Sequence, residues 1–280
     1  MSVPDHHDKT WHPFSPLIFV IVIVISLSAA LLALAFFSPS IWSVQLKASL
    51  WSLAATFAAA HLCYAFVEFF FHRYVLHMPV IPFLAYFYRQ HTQHHALTSV
   101  ALQKTSVRNV YPILTQQQHE ASFFPPYSFF VFALIFTPAL LAIQWFMPRA
   151  PIMLGGYIAL AWSLCLYELL HAIEHLPLNK WEPLLSHPTW GKMWMKLYGF
   201  HLRHHAEIRS NESISGFFGI PIPDLVFGTY VDPKTLYQHG ETVPLEKFEP
   251  PTPRFISWLD RWCARIVKKR RLAIAMRSSA

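Results

Sequence analysis

The 280-residue chain holds 54% hydrophobic and 13% charged residues. Soluble domains average about 25% charged residues, so this composition excludes an ordinary soluble protein and favours an integral membrane protein. The net charge of +7 comes from basic residues spread through loops and tail, with no nucleic-acid-binding motif. We therefore expect no nucleic acid partner, and an anionic membrane surface instead. The three cysteines form no Cys-x-x-Cys pair, so neither a disulfide framework nor a thiolate zinc site is indicated.

A short polar segment, 1–16, precedes four apolar segments that have the length of a membrane-spanning helix. A helix needs about twenty residues to cross a bilayer. We interpret the first span as a retained anchor rather than a cleaved signal, because it is long for a signal core and its flank is acidic as well as basic. The predicted spans are Leu17–Phe37, about Leu50–Phe71, Tyr127–Met147 and Ile152–Leu170.

The distribution of lysine and arginine predicts how these spans are oriented. If the two short loops face outward, only Lys47 and Arg149 lie there, and the other 22 − 2 = 20 basic residues lie on the opposite side. Positive residues are enriched on the cytosolic side of membrane proteins. We therefore expect a multi-pass protein of a bacterial inner membrane or an endoplasmic reticulum, with both termini in the cytosol.

Ten of the seventeen histidines fall into four compact motifs next to the apolar segments. Imidazole is a common ligand of iron, copper, zinc and nickel, and one metal needs only about three to five ligands. Ten histidines therefore predict two metal ions, held on the cytosolic side at the edge of the bilayer. The motifs are His72-x4-His77, His91-x2-His94-His95, His171-x3-His175 and His201-x2-His204-His205.

The spacing within each motif predicts which imidazoles share a metal. Side chains three and four positions apart lie on one helix face, so each His-x2-His-His motif is expected to give two or three imidazoles to one cluster. His72 and His77 are five apart, about 140° around an ideal helix. Either the helix ends near His77, or these two residues serve different metals. The two halves repeat the same order of helices, acid and histidines, which favours two metal-binding halves that close on each other.

Acidic residues lie beside these motifs. Glu68 precedes His72 by four residues, and Glu168 precedes His171 by three. A metal-bound imidazole usually donates its other N–H to a carboxylate or carbonyl, so Glu68 and Glu168 are predicted to accept such bonds or to ligate a metal directly. His61 shares a helix face with Glu68 and stays a candidate participant. The histidines that follow no ligand pattern are His6, His7, His12, His119, His187 and His239.

The C-terminal region, 231–280, changes character again. Its segment Trp258–Met276 places Trp258, Trp262 and Ile266 at helical spacing, with arginine and lysine around them. This pattern is typical of a basic amphipathic helix that lies in the membrane interface. A disordered basic tail is the alternative.

At its histidine motifs the chain resembles the fatty acid hydroxylase / sterol desaturase superfamily of membrane di-iron enzymes. The resemblance runs from about residue 60 to 230 and includes Ile222–Thr229, which is similar to the superfamily's closing motif. There Asp224 is retained, whereas Pro223 stands where tryptophan is common. The spacing of the motifs is most similar to the fatty acid 2-hydroxylase branch. The histidine motifs carrying the resemblance are Glu68–His77, His91–His95, Glu168–His175 and His201–His205.

The resemblance and the composition together predict an all-α integral membrane protein, with about four transmembrane helices and a cytosolic helical cap that carries a dinuclear metal site. Residues 17–230 would form the hydroxylase-like membrane domain. The resemblance implies that the ten motif histidines bind two iron ions, with zinc as an alternative occupant of purified protein. The acids proposed for catalysis are Glu68, Glu168 and Asp224.

The implied reaction is O2-dependent hydroxylation of a lipid in the bilayer, foremost a fatty acyl chain. No His-Pro-Gly-Gly haem motif accompanies the domain, so we expect electrons from a separate donor such as cytochrome b5, ferredoxin or a reductase. Desaturation and carotenoid or sterol oxidation stay open as alternatives. A metal-transporting or metal-sensing protein is disfavoured, because transporters usually bind their cargo near the bilayer midplane, whereas these motifs lie at helix ends.

Overall fold

The structure, a computed structural model, describes residues 15–278 apart from residues 105 and 126. Most of the predicted N-terminal segment, with His6, His7 and His12, therefore lies outside the described residues. The described chain is predominantly helical. Its α-helices are α1 (Pro16–Phe37), α2 (Pro39–Lys47), α3 (Leu50–Phe71), α4 (Ala85–Leu97), α5 (Gln116–Ser122), α6 (Ser128–Phe146), α7 (Ile152–Glu174), α8 (Leu178–Leu185), α9 (Gly191–Ala206), α10 (Ile222–Phe227) and α11 (Arg254–Ser278).

Helices α1, α3, α6 and α7 are long and apolar enough to cross a membrane, which confirms the four predicted spans. Their bounds agree with the predicted ones to within one residue, except that α7 continues past Leu170 to Glu174. The helical conformation after α3 also continues, through His72 to Leu76. Nothing in the sequence interrupts either helix before Pro79 and Pro177, and proline is a strong helix breaker.

The central helix of the four is α7. It packs against α1, α3 and α6, and 61% of its apolar window is buried, compared with 17–28% for the other three. Two adjacent glycines permit this close packing. A Cβ at Gly155 would lie 2.7 Å from Cγ2 of Thr56 on α3, and one at Gly156 would lie 2.6 Å from Leu140 on α6. Helix α7 therefore brings its C-terminal histidines beside those of α3.

A cap of shorter elements covers the C-terminal ends of α3 and α7. It departs from the all-helical prediction, because β1 (Val100–Gln103) and β2 (Ser106–Asn109) form an antiparallel hairpin with Val100 opposite Asn109. The hairpin buries Val100 and Val107, and β-branched residues favour such half-buried strands. Tyr237, beyond the predicted domain boundary at 230, packs in the same core as Val100 and Val107.

Helix α11 covers the predicted segment Trp258–Met276. It is fastened to the end of α3, because the Asp260 carboxylate accepts hydrogen bonds from Arg73 and from the Tyr74 hydroxyl. Of its apolar residues, Ile256 and Cys263 are buried. The C-terminal segment is thus a docked helix rather than a disordered tail.

Candidate metal centre

The ten motif histidines converge on one place in two adjoining groups. Within each group, the candidate ligand atoms lie within 4.8 Å of one another. The tenth residue, His171, lies against the second group, with its Nε2 3.2 Å from Nε2 of His94. The first group consists of His72, His77, His91, His95 and His204, and the second of His94, His175, His201 and His205.

Each His-x2-His-His motif is divided between the two groups. His91 and His95 belong to the first group, whereas His94 belongs to the second. Helix α9 does the reverse, since His201 and His205 belong to the second group and His204 to the first. Residues four apart share a helix face most closely, and the histidine between them is turned toward the neighbouring group. Each group therefore takes two imidazoles from one of these motifs and one from the other.

The two halves of the chain consequently exchange one histidine each. His204, from the second half, completes a group otherwise built by the first half. His94 makes the reciprocal contribution to the second-half group. The predicted closure of two metal-binding halves on each other is refined in this way: neither group is supplied by one half alone.

A π-helical turn, His72–Leu76, resolves the alternative left open for His72 and His77. The His77 N–H donates to the His72 carbonyl across 3.0 Å, which is an i→i−5 bond. The wider turn brings residues five apart onto one side, and π turns occur frequently at functional sites. The two ring centroids are 4.9 Å apart. The helical run ends at His77 as predicted, and both imidazoles belong to the first group.

Main-chain carbonyls determine the tautomers of several of these imidazoles. A carbonyl can only accept, so an Nδ1 bonded to it must carry the proton, and Nε2 is then free to bind a metal. The Nδ1–H groups donate as follows: His72 to Glu212 O at 2.5 Å, His175 to Tyr111 O at 2.8 Å, His204 to Ser210 O at 2.8 Å and His205 to Thr98 O at 2.9 Å.

The spacing of the Nε2 atoms fits a bound cation. In the first group, the distance is 2.9 Å between Nε2 of His72 and His91 and 3.0 Å between Nε2 of His77 and His204. In the second, Nε2 of His201 lies 3.2 Å from that of His175. Two nitrogens bound to one ion at about 2.0–2.1 Å lie roughly 3.0–3.4 Å apart. Lone pairs held this close repel one another, and a cation between them removes that repulsion.

Burial keeps these imidazoles in the form that binds metals. Burial, followed by the neighbouring imidazoles, holds the pKa of His77, His94 and His201 well below its usual range. Burial also lowers the pKa of His175 to about 3, although the bond to the Tyr111 carbonyl acts in the opposite direction. The groups are therefore neutral at physiological pH, and neutral imidazole is the ligand form.

The acids Glu68 and Glu168 do not have the predicted partners. The Glu68 carboxylate accepts from the N–H and the hydroxyl of Ser215, and Glu168 accepts from the N–H of Phe124 at 2.9 Å. No described hydrogen bond joins Glu68 or Glu168 to a motif imidazole, and direct ligation of a metal by either acid stays a prediction. The described partners of the imidazole Nδ1 atoms are instead main-chain carbonyls and hydroxyls. Ser122 Oγ, for example, lies 2.7 Å from Nδ1 of His94.

Asp224 acts on the first histidine group indirectly, through the chain segment that contains Glu212. Its carboxylate accepts from the N–H groups of Glu212 and Ser213 at 2.9 and 2.8 Å, and from the Thr229 hydroxyl at 2.7 Å. These bonds hold the chain segment whose Glu212 carbonyl accepts from His72. Sequence reasoning missed Glu212, because it lies in a loop outside every motif and acts through its main chain.

The other described histidines lie outside both groups. His61 is fully buried in α3, where Nδ1 lies 2.8 Å from Ser163 Oγ and Nε2 accepts from the Phe218 N–H at 3.1 Å. His187 accepts the N–H groups of Thr189 and Trp190 at the start of α9. His119 and His239 also lie apart from the groups. His61 therefore has a packing role in the described contacts.

An apolar cavity of about 70 Å³ lies among α3, α6 and α7. Its walls include Phe132, Leu160 and Leu164, and the same cavity touches Glu68 and His72. Three of the four long apolar helices thus line a space that reaches His72, a member of the first histidine group. A smaller cavity of about 40 Å³ touches His91 and shares three walls with the first, Leu76, Phe124 and Tyr167.

No family model, curated protein or solved structure matches this chain. The assignment to the hydroxylase / desaturase superfamily consequently stays a prediction based on the motifs themselves.

Proposed function

We propose that the protein is an O2-dependent lipid hydroxylase of a cellular membrane, with two iron ions held by the ten motif histidines and a fatty acyl chain as substrate. The observation that carries this proposal is the pair of adjoining histidine groups, each completed by a residue of the other half of the chain. Two metal sites that share a boundary suit a reaction that needs more than one electron. The apolar cavity beside His72 suits a substrate that arrives from the bilayer.

The residues fit the proposed metal in number, chemistry and protonation. Imidazole is a suitable ligand for iron, and the carbonyl-bound Nδ1–H groups orient the Nε2 lone pairs toward each group. When bound, the two irons would supply the O2-dependent redox chemistry that breaks an unactivated C–H bond, which acid and base side chains cannot provide. Zinc would be accepted by the same nitrogens in purified protein.

The protein would orient the substrate and exclude water. Apolar walls such as Phe132, Leu160 and Leu164 would hold the acyl chain beside His72. Glu68, fixed by Ser215, would present a carboxylate inside this cavity. We propose direct substrate contact for Glu68 only; Glu168 and Asp224 would act as positioning residues through Phe124 and through Glu212.

The membrane topology is part of the proposal. Lys47 ends α2, which connects α1 to α3, and Arg149 lies between α6 and α7; both connections are at the ends of the spans away from the histidine groups, and the other described lysines and arginines lie on the histidine side. Positive-inside asymmetry then assigns the histidine groups and both termini to the cytosol. This arrangement would make the site accessible to a soluble electron donor and, through the cavity, to membrane lipid.

Mass spectrometry of membrane lipids is the direct test. Cells that produce the wild-type protein are expected to accumulate acyl chains heavier by one oxygen atom, in an O2-dependent manner. A loss of two hydrogen atoms would instead identify desaturation, and a change confined to carotenoids or sterols would identify that branch. Metal-dependent uptake without any altered lipid would contradict the enzyme and support a transporter.

Filling the apolar cavity is expected to change substrate selection. Leu164 is 7% exposed and lines the cavity, so Leu164→Trp should lower turnover of long acyl chains by at least about tenfold while chains that need less space are affected less. Overpacking can cost roughly 1–3 kcal/mol of stability, so iron content and membrane level are measured alongside. The matched control is Leu134→Trp, whose side chain on α6 is 78% exposed. Equal loss for all chain lengths at full iron content would rule out the cavity as the acyl site.

A further inference from the structure

Helix α11 is held next to the first histidine group. Arg270 donates to the carbonyls of Pro79 and Val80 at 2.9 and 2.8 Å, in the turn that directly follows His77. Near the start of the helix, both Asp260 carboxylate oxygens accept from Arg73. The helix is therefore anchored at two points, and its remaining faces are presented outward.

One outward face of α11 is a row of exposed cations. Successive members are four, three and three residues apart, so they lie along one side of the helix. The single acid within α11, Asp260, is already paired with Arg73. The row thus carries an uncompensated positive charge of about four. Its members, named here the basic row, are Arg261, Arg265, Lys268 and Arg271.

A groove of about 540 Å³ joins the basic row to the candidate metal centre. Lys268 and Arg271 line one side of it, Met78 and Pro79 line the other, and His77 contributes to the same surface. His77 and His95 are the partly exposed members of the first group, whereas every member of the second group is buried. Through His77, the groove therefore reaches a proposed metal ligand from the protein surface.

A different face of α11 is the one suited to lipid. Phe255, Trp258 and Trp262 form a stacked aromatic row, with each side chain about half exposed. At 100° per residue this row lies roughly 110° around the helix from the basic row. Tryptophan and phenylalanine are typical of membrane interfaces. If the aromatic row rests on the bilayer, the basic row lies along a flank of the helix, at an angle that leaves it open to soluble partners.

We propose that the basic row and its groove form the docking site of an acidic, soluble electron-transfer protein, and that electrons enter the metal centre through His77. Charge complementarity identifies the class of partner, since a positive surface steers and orients a negative one. The proposal rests on the proposed hydroxylase function. Hydroxylation of one C–H bond consumes one O2, two electrons and two protons and yields an alcohol and one water. Two reduced donor molecules would each lose one electron at the groove, and solvent would supply the protons.

Direct binding tests this site independently of catalysis. Metal-depleted full-length protein in nanodiscs of neutral phosphatidylcholine is titrated with an acidic plant-type [2Fe–2S] ferredoxin at low ionic strength. The double variant Lys268→Glu/Arg271→Glu is expected to weaken binding at least about tenfold, because both contacts change from attraction to repulsion. The control, Lys269→Glu/Lys192→Glu, makes the same charge change outside the groove and should alter binding less than about twofold. Rising salt should reduce the difference.

Turnover of iron-loaded protein provides the second readout. The groove variant should lower kcat/KM for reduced ferredoxin by a similar factor and leave turnover with dithionite and methyl viologen unchanged. Equal ferredoxin binding by both double variants, or no binding by wild type, overturns the docking site. An effect of the groove variant that appears only in anionic nanodiscs and without ferredoxin would assign the row to lipid and also overturn it. Absence of product with every reductant contradicts the hydroxylase instead, and the binding result then decides the docking site by itself.

Discussion

Replacing His204 with alanine is expected to abolish lipid oxidation and to lower the iron content from about two ions per chain to about one or fewer. His204 is the single second-half residue in the first histidine group, with Nε2 3.0 Å from Nε2 of His77. Loss of a residue that merely supports a metal ligand costs about 10- to 100-fold, so removal of a ligand should cost more than about 100-fold in product formation. Anaerobic iron analysis and lipid mass spectrometry measure the two effects.

The reciprocal variant, His94→Ala, should behave in the same way, because His94 is the single first-half residue of the second group. The matched control is His239→Ala, whose imidazole is exposed and lies outside both groups; its activity and iron content should equal those of wild type. Full iron content and activity in either His94→Ala or His204→Ala would disprove the exchange of ligands between the two halves.

Replacing Arg73 with methionine is expected to destabilise the protein by about 3–5 kcal/mol, the usual cost of leaving one partner of a buried ion pair alone. Arg73 is 5% exposed, and its Nη1 lies 2.7 Å from Oε1 of the fully buried Glu212. Without the guanidinium, the Glu212 carboxylate remains fully buried without its cation. Glu212 is also the residue whose main-chain carbonyl accepts the hydrogen bond from His72 Nδ1. Thermal unfolding in detergent, followed in parallel with iron content, measures both consequences.

The double variant Arg73→Met/Glu212→Gln supplies the control, since it removes both charges together. It should recover most of the lost stability, because replacing a whole buried pair is far less costly than breaking it. Asp260→Asn should have a smaller effect than Arg73→Met, as Asp260 is 28% exposed at its side chain and solvent weakens its contribution. If the single and double variants are equally unstable, the unpaired Glu212 charge is not the cause.

Sequence patterns were sufficient to predict the features that depend on a single helix. The four spans could be predicted from their apolar length, and their helices were extended only at the ends that carry histidines. The ten proposed ligands could be chosen from spacing alone, because unpaired histidines such as His187 and His239 lack neighbours at helical intervals. The docked helix α11 was indicated by Trp258 and Trp262 at a helical interval. In each case the information lies within one continuous segment of about twenty residues or fewer.

The acids illustrate where local rules failed. Glu68 and Glu168 lie next to the motifs in sequence, and proximity alone suggested that they accept from the imidazoles. Their described partners are Ser215 and the main chain of Phe124, which are distant in sequence. The acceptors that the imidazoles use instead include the carbonyls of Thr98, Tyr111 and Glu212. Every residue has a main-chain carbonyl, so no side-chain pattern in the sequence marks the carbonyls that accept a hydrogen bond from an imidazole.

Four apolar helices and ten histidines in ligand-like motifs are evident from the amino-acid sequence, because helical periodicity and bilayer length are properties of continuous segments. How those histidines divide depends on the packing of segments that are distant in sequence. A π turn brings His72 and His77 to one group, and α4 and α9 meet through their histidine rings, with the His95 and His205 ring centroids 4.1 Å apart, so that His94 and His204 lie on opposite sides of the boundary. Which histidine group an imidazole belongs to depends on the helix opposite it, and that neighbour is set by packing between segments that are distant in sequence.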